Sequence, residues 1–410
     1  MNNHILNYDL QRNDTIISYA KDIYLYDTNN NKYIDTRFGS GTLILGHSDE
    51  GLINYIKSNL EKGTLYSMLS EHTLEFSKIL KKILHWYSKF IFCNSGSEAI
   101  MRAFRISKSF TKKNKVVLFT GFWHGSYDNV LFDNSNINPK LKSPGLEQNL
   151  KDNIILVEND ISCFQVLNDN KNDIAMILIE PLQHILPKNN IILLTKLRDF
   201  CTNNNIVLCF DEIVTGFRLS VEGGQGYFNI YSDMACYGKI SGGGFPIGIV
   251  GVNQEIEQHI QNQNPKIFLG GTFSGNPISS MAGSFVLNKL YNNQDKYKEI
   301  GDLTKYLSDN VNQHCIDNNI PIRIYYFESI YRFIFTEKEI KLVKERHLEL
   351  STELQNNFFK ILKDNKIIVG YNPSCFMSFK NTKQNINILI EKIKVSLNTF
   401  KINYLTIKKS

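Results

Sequence analysis

From about residue 74 to 290 the sequence alternates short apolar runs with longer stretches of helical period. Seven runs read as strands: Phe90–Cys93, Val116–Phe119, Ile154–Val157, Ala175–Ile179, Ile206–Phe210, Met234–Tyr237 and Ile247–Val252. A strand that is apolar at nearly every position has no face left for water, so helices must cover both sides of its sheet. The pattern predicts an α/β domain. In such sheets, sites gather where strands give way to loops at their carboxyl ends. Five of the predicted strand ends carry polar or glycine-rich punctuation: Asn94 to Glu98, Gly121 to Gly125, Glu180-Pro181, Asp211 to Arg218 and Gly238-Lys239. Together they point to one convergent site.

Outside that region the character changes. The last 110 residues predict a smaller α+β domain, with helical segments around Lys298 to Cys315 and Glu337 to Lys363 flanking strand-like Ile322 to Phe327 and Tyr331 to Phe335. Near the start, Ile23 to Tyr26 and Lys32 to Asp35 read as a hairpin around an Asn-rich turn, followed by Gly39-Ser40-Gly41. At 410 residues the chain exceeds a single-core domain. A net charge of +6 without a basic stripe argues against nucleic-acid binding. No apolar run approaches the roughly 20 residues of a membrane span, and the segment Met1 to Leu10 does not read as a signal peptide, so a cytoplasmic protein is expected. Seven cysteines without a C-x-x-C pair or metal-ligand spacing read as reduced core thiols, with no metal site.

Several short motifs could carry chemistry. Lys239 precedes Gly242-Gly243-Gly244 and follows the pair Asp211-Glu212 by about 27 residues. An amine and a carboxylate at the ends of neighbouring strands can grip opposite sides of one flat cofactor. Ser95-Gly96-Ser97-Glu98 has the spacing of a capping box whose free amides could hold a phosphate. Read alone, it is a plain helix cap. Asp211 ends a buried strand, where a carboxylate is costly unless it meets a cation or a donated proton. The triple glycine lacks the order of a phosphate-binding nucleotide loop, and close backbone packing around Lys239 explains it better. Trp123-His124-Gly125 places an aromatic at a strand end; by itself it reads as a core or surface ring rather than a functional one.

Taken in order, these pieces resemble the class III aminotransferases, near the branch of glutamate-1-semialdehyde aminomutase. The matching segments are Tyr33-Ile34-Asp35, Leu45-Gly46-His47, Asn94-Ser95-Gly96-Ser97-Glu98-Ala99, Trp123-His124-Gly125, Glu180-Pro181, Asp211 to Arg218, Gly238-Lys239 and Gly271 to Pro277. The resemblance implies the fold type I of pyridoxal 5'-phosphate (PLP) enzymes, with a mostly parallel seven-stranded sheet and a smaller α+β domain. Residues 71–295 would form the large domain and 296–410 the small one, with 1–70 an N-terminal segment packing on the small domain.

It also implies roles. Lys239 would form the Schiff base with PLP, and Asp211 would keep the pyridine nitrogen protonated. Ile213 would pack on one ring face, and Trp123, where the family usually has Tyr, on the other, beside His124. Ser95, Gly96 and Ser97 would bind the phosphate, joined by Thr272 from a neighbouring subunit in a homodimer with shared sites. The implied activity is an aminotransferase that moves an amino group from a small-molecule donor to a carbonyl acceptor. The alternatives are an aminomutase or epimerase on the same scaffold, and a non-catalytic scaffold protein.

The resemblance thins toward the substrate. The branch's Asn-Ser-Pro-Val-Arg pattern is not found before Tyr24, and its glutamate near the C-terminus is missing from Gly370 to Ser378. Tyr325 to Ser329 replaces a glycine-rich turn. Arg218, Arg332, His47 and the Gly39 to Leu43 loop are candidates for substrate contact or for structural roles.

Overall fold

The seven apolar runs form one sheet. The computed structural model describes residues 15–404 apart from 134, 136, 184–189, 337, 341–344, 346–348 and 370–373, with the backbone described through 407. The strands are β1 (Lys89–Cys93), β2 (Lys115–Phe119), β3 (Ile154–Val157), β4 (Ile174–Ile179), β5 (Val207–Asp211), β6 (Met234–Gly238) and β7 (Gly248–Val252). Their spatial order is β1-β7-β6-β5-β4-β2-β3. The pairs among β2 to β6 are parallel, while β7 runs antiparallel to β6 and β1. Gly248, the first residue of β7, therefore lies opposite Gly238 and Cys93, the last residues of β6 and β1.

Strands β4 to β7 are buried at every position, which explains their unbroken apolar sequence. Helix α2 (Gly96–Thr111) covers one face, its Ala99, Ile100, Ala103 and Phe104 joining Met176, Cys209, Cys236 and Val250 in one core cluster. Helices α1 (Glu71–Ile83) and α3 (Pro277–Tyr291) start where the sequence supplies caps. Ser70 Oγ accepts from the amide of Thr73 at 3.1 Å, and Asn276 Oδ1 from that of Ser279 at 2.9 Å. The two helices meet at Gly283, where a Cβ would stand 2.4 Å from Phe76.

The described residues divide into two compact units: those of Gly51–Tyr297 and Ile340–Arg346, and those of Met1–Glu50, Lys298–Glu339 and His347–Ser410. Residues 51–70 thus belong with the large sheet. The second unit has a four-stranded sheet of Ile17–Lys21, Tyr24–Asp27, Lys32–Asp35 and Ile367–Ile368, and a three-stranded one of Arg323–Phe327, Ile330–Ile334 and Ser374–Phe376. Its core gathers Ile34, Phe333, Phe358, Ile393 and Phe400.

One expectation needs correction here. The helix expected over Glu337 to Lys363 is Thr352–Asp364 among the described residues; the amide of Leu350 is bonded to the carbonyl of Phe335 at 2.7 Å, and Ser351 caps the helix. The strand Ile17–Lys21 and the long helix Lys383–Ile407 lay outside the sequence reading. Gly370 to Pro373 fall outside the described residues. All seven cysteines are buried and free, no candidate metal cluster occurs among the described residues, and no helix there is long and apolar enough to cross a membrane.

Candidate active site

The carboxyl end of β5 supplies a buried carboxylate to the site. Asp211 is almost wholly inaccessible, and its Oδ2 lies 2.7 Å from His124 Nδ1 in the segment after β2. Its Oδ1 accepts from the amide of Ile213 at 3.0 Å. An ionised carboxylate can only accept, so with the charged form of Asp211 the bond requires the proton on His124 Nδ1. Two acceptor positions of the carboxylate remain for a further donor. His124 is itself fixed: its ring lies nearly parallel to that of Phe122, and its Nε2 is buried with no hydrogen-bond partner among the described residues.

The segment after β1 forms a capped helix N-terminus, a cradle that could hold an anion. Ser95 Oγ accepts from the amide of Glu98 at 3.2 Å, and the Glu98 carboxylate accepts from the amide of Asn94 at 2.8 Å. This is the expected capping arrangement with its return bond displaced by one residue. Because the Ser95 hydroxyl is committed to the cap, the segment presents an anion with the helix N-terminus at Gly96 and Ser97 and with the Ser97 hydroxyl. Ser97 Oγ accepts from the amide of Ser126 at 3.0 Å, tying this end of α2 to the loop carrying Trp123 and His124. Glycine is required at two points of this junction. A Cβ on Gly96 would meet Ile213 Cδ1 at 2.5 Å, and one on Gly125, at φ +94°, would meet Ser97 Oγ at 2.4 Å.

Lys239 follows β6 directly. Its backbone sits at φ +47°, a region that a non-glycine residue occupies at a cost, and strain of this kind collects at functional sites. The turn Lys239–Gly242 is locked by Ser241 Oγ, which donates to the carbonyl of Gly238 at 2.9 Å. The triple glycine lets this turn sink against its surroundings: a Cβ on Gly242 would lie 2.8 Å from Ile247, and one on Gly243, at φ +59°, 2.8 Å from Val286 of α3. Ile213 Cγ2 would be 3.6 Å from a Cβ on Gly238, so Ile213 packs beside both β6 and the cradle.

Five strand ends therefore converge, because Trp123 joins through its amide, which donates to Glu180 Oε1 beyond β4 at 3.1 Å. The Trp123 side chain is 43% exposed, with Lys142 Nζ 4.7 Å from its ring centre. Thr272 sits elsewhere, in a surface depression of about 610 Å³ lined by Leu65 to Leu69, Thr73 and Gly271 among others. Arg102, buried on α2, holds the strip leading to it through the Gly270 carbonyl at 2.9 Å and Ser274 Oγ at 3.2 Å. Neither Arg102 nor Gln225, discussed below, was singled out in the sequence; a buried polar residue inside a helical pattern was the only signal. His47 is bound to Asp35 at 2.7 Å, and Arg218 and Arg332 are buried, so these three have interior positions.

A carboxylate with open lone pairs, an amine on a strained turn, a backbone-lined anion cradle and an aliphatic face beside it fit a flat nitrogen heterocycle bearing an aldehyde and a phosphate. The family model of Aminotransferase class-III matches residues 8–322. Glutamate-1-semialdehyde 2,1-aminomutase of Methanococcus maripaludis (strain C7 / ATCC BAA-1331) is 35% identical over 396 residues, covering 93% of this chain and 90% of that protein. The chain is a class III aminotransferase family member. Among solved structures, an omega-transaminase from Sphaerobacter thermophilus aligns with TM-score 0.88 at 22% identity, covering 94% of this chain and 91% of that one. A transaminase with PLP bound gives TM-score 0.86 at 21% identity over 94% of this chain and 91% of that one. These likenesses establish the family member's fold as the PLP-dependent transferase fold type I.

Proposed function

We propose that this protein is a PLP enzyme that moves an amino group within one carboxylated amino-aldehyde, an aminomutase reaction. The observation that carries this reading is the 35% identity over nearly the full length to a protein named for that reaction. The cofactor is pyridoxal 5'-phosphate, and once bound it supplies an electron sink that acidifies the substrate carbon bearing nitrogen. Lys239 would hold the cofactor aldehyde through Nζ, and the same amine would serve as general base and acid for the proton on the substrate carbon. Asp211, fixed by His124 and by the Ile213 amide, would face the pyridine nitrogen and favour its protonated form. Ile213 would pack on one ring face and Trp123 on the other. The amides of Gly96 and Ser97 and the Ser97 hydroxyl would bind the phosphate.

Thr272 would reach the phosphate of a second copy of the chain, which would make the working protein a homodimer with shared sites. Its exposed position supports this, as do neighbouring apolar side chains turned to solvent: Met68 (84% exposed), Leu69 (70%) and Phe273 (57%).

Intermolecular transamination is the second reading. It is favoured by the missing Asn-Ser-Pro-Val-Arg pattern and by Trp123 where the family usually has Tyr. Incubating the PLP-loaded protein with glutamate-1-semialdehyde and no other amine separates the two. The aminomutase reading predicts conversion to the isomeric amino ketone. A protein that forms no isomer, but reacts with single amino acids to give their keto acids, is a transaminase.

A further inference from the structure

Between the two residues expected to grip the cofactor runs a buried chain of hydrogen bonds with no assigned role. Glu212 directly follows Asp211, and its Oε1 accepts from the backbone amide of Gln225 at 2.9 Å. The side chain of the same residue crosses to β6: Gln225 Nε2 donates to Tyr237 Oη at 2.8 Å, two residues before Lys239. Gln225 Oε1 accepts from Tyr87 Oη and from the amide of Ser232, both at 2.9 Å. Tyr87 Oη also lies 2.8 Å from Ser232 Oγ, which is 2.8 Å from the carbonyl of Met234 at the start of β6. Gln225 and Tyr237 are fully buried.

The packing around this chain leaves little freedom. The amide of Glu212 donates to the carbonyl of Cys236 at 2.8 Å, and that of Gly216 to the carbonyl of Glu212 at 2.8 Å. A Cβ on Gly216 would lie 2.7 Å from Tyr237 Cδ1, so the turn after Asp211 rests on the tyrosine ring. One backbone amide and one side-chain amide of a single residue thus join the turn after β5 to the end of β6. A buried primary amide suits this position because it donates and accepts at once, and each partner left alone would be a costly buried polar group.

We infer that Gln225 is a positioning residue: through Glu212 and Tyr237 it sets the separation between the Asp211 carboxylate and Lys239 Nζ, and with it the fit of the cofactor. The inference rests on the cofactor reading above, and goes beyond it in assigning a role to residues that touch neither cofactor nor substrate.

The test compares Gln225→Leu, Tyr237→Phe and the double variant with the wild-type protein. Two readouts apply: the Kd of PLP, and the pH midpoint at which the visible band of the lysine-bound cofactor changes. The expected result is PLP binding weakened about five- to ten-fold in each single variant, comparable to losing one buried hydrogen bond, with a displaced pH midpoint. The double variant should be no worse than the weaker single one, because both substitutions break the same chain. Tyr237→Phe keeps the ring against Gly216, so it carries the test if Gln225→Leu does not fold. A lowered denaturation midpoint with unchanged PLP Kd and unchanged pH midpoint would overturn the inference, as would additive effects in the double variant. A wild-type protein that takes up no PLP would overturn the cofactor reading along with it.

Discussion

Glu212 shows how one side chain can carry a strong pH signature without touching the reaction. Its carboxyl is fully buried, and burial pushes it up from the usual carboxylate range to about 7, against the opposing pull of hydrogen bonds from Thr215 and from the amides of Gly224 and Gln225. A group whose folded pKa is raised binds its proton more tightly when folded, so its contribution is complete below the unfolded value of 4.5 and is lost as pH rises through about 7. The wild-type protein should lose up to about 3 kcal/mol relative to Glu212→Gln between pH 4.5 and 8, since one pKa unit corresponds to about 1.4 kcal/mol. Urea denaturation across that range checks it, and parallel curves for the two proteins would refute it. Gly96 makes a second point at this scale. The added methyl of Gly96→Ala would meet Ile213 Cδ1 at 2.5 Å, so it should destabilise by about 1–3 kcal/mol and weaken PLP binding. Shortening the neighbour with Ile213→Val should recover part of both, as equilibrium dialysis and thermal melts would report.

The sheet strands were legible in sequence as apolar runs, most plainly β4 to β7, where burial on both faces removes the polar positions that blur a strand pattern. The first strand was not: Ile17–Lys21 is mostly exposed, and its alternation is lost among polar neighbours. Ahead of Thr352, the amide of Leu350 is taken by the carbonyl of Phe335 and Ser351 caps the helix, so among the described residues the helix begins later than the apolar period predicts. At the site, Lys239, Asp211 and the cradle were legible through their order in the chain. The chain of Tyr87, Gln225, Ser232 and Tyr237 was not, since it depends on side chains meeting across strands, which periodicity does not report. The same holds for helix α3, whose Gly283 reads as a helix-weakening residue. In the structure a Cβ there would stand 2.4 Å from both Phe76 and the carbonyl oxygen of Ser241. Gly283→Ala should therefore lower stability by about 2–3 kcal/mol and also loosen PLP, because the displaced carbonyl belongs to the Lys239–Gly242 turn. A variant as stable as the wild type would contradict this account of the helix.

For the whole molecule, the exposed apolar strip around Thr272 predicts self-association. Sedimentation should give a dimer at micromolar concentration, and Met68→Glu with Phe273→Glu should give a folded monomer with weakened PLP binding, since Thr272 of one copy would no longer serve the other. A wild-type monomer that binds PLP at full strength would refute the shared site.

The central claim is that one amine of the molecule, Lys239 Nζ, holds the cofactor, and it can be read chemically. Reducing the PLP-loaded protein with borohydride and mapping its peptides should find the pyridoxyl group on Lys239 at one per chain, and none in Lys239→Ala. A label on any other lysine, or no label on a protein that binds PLP, would contradict the account.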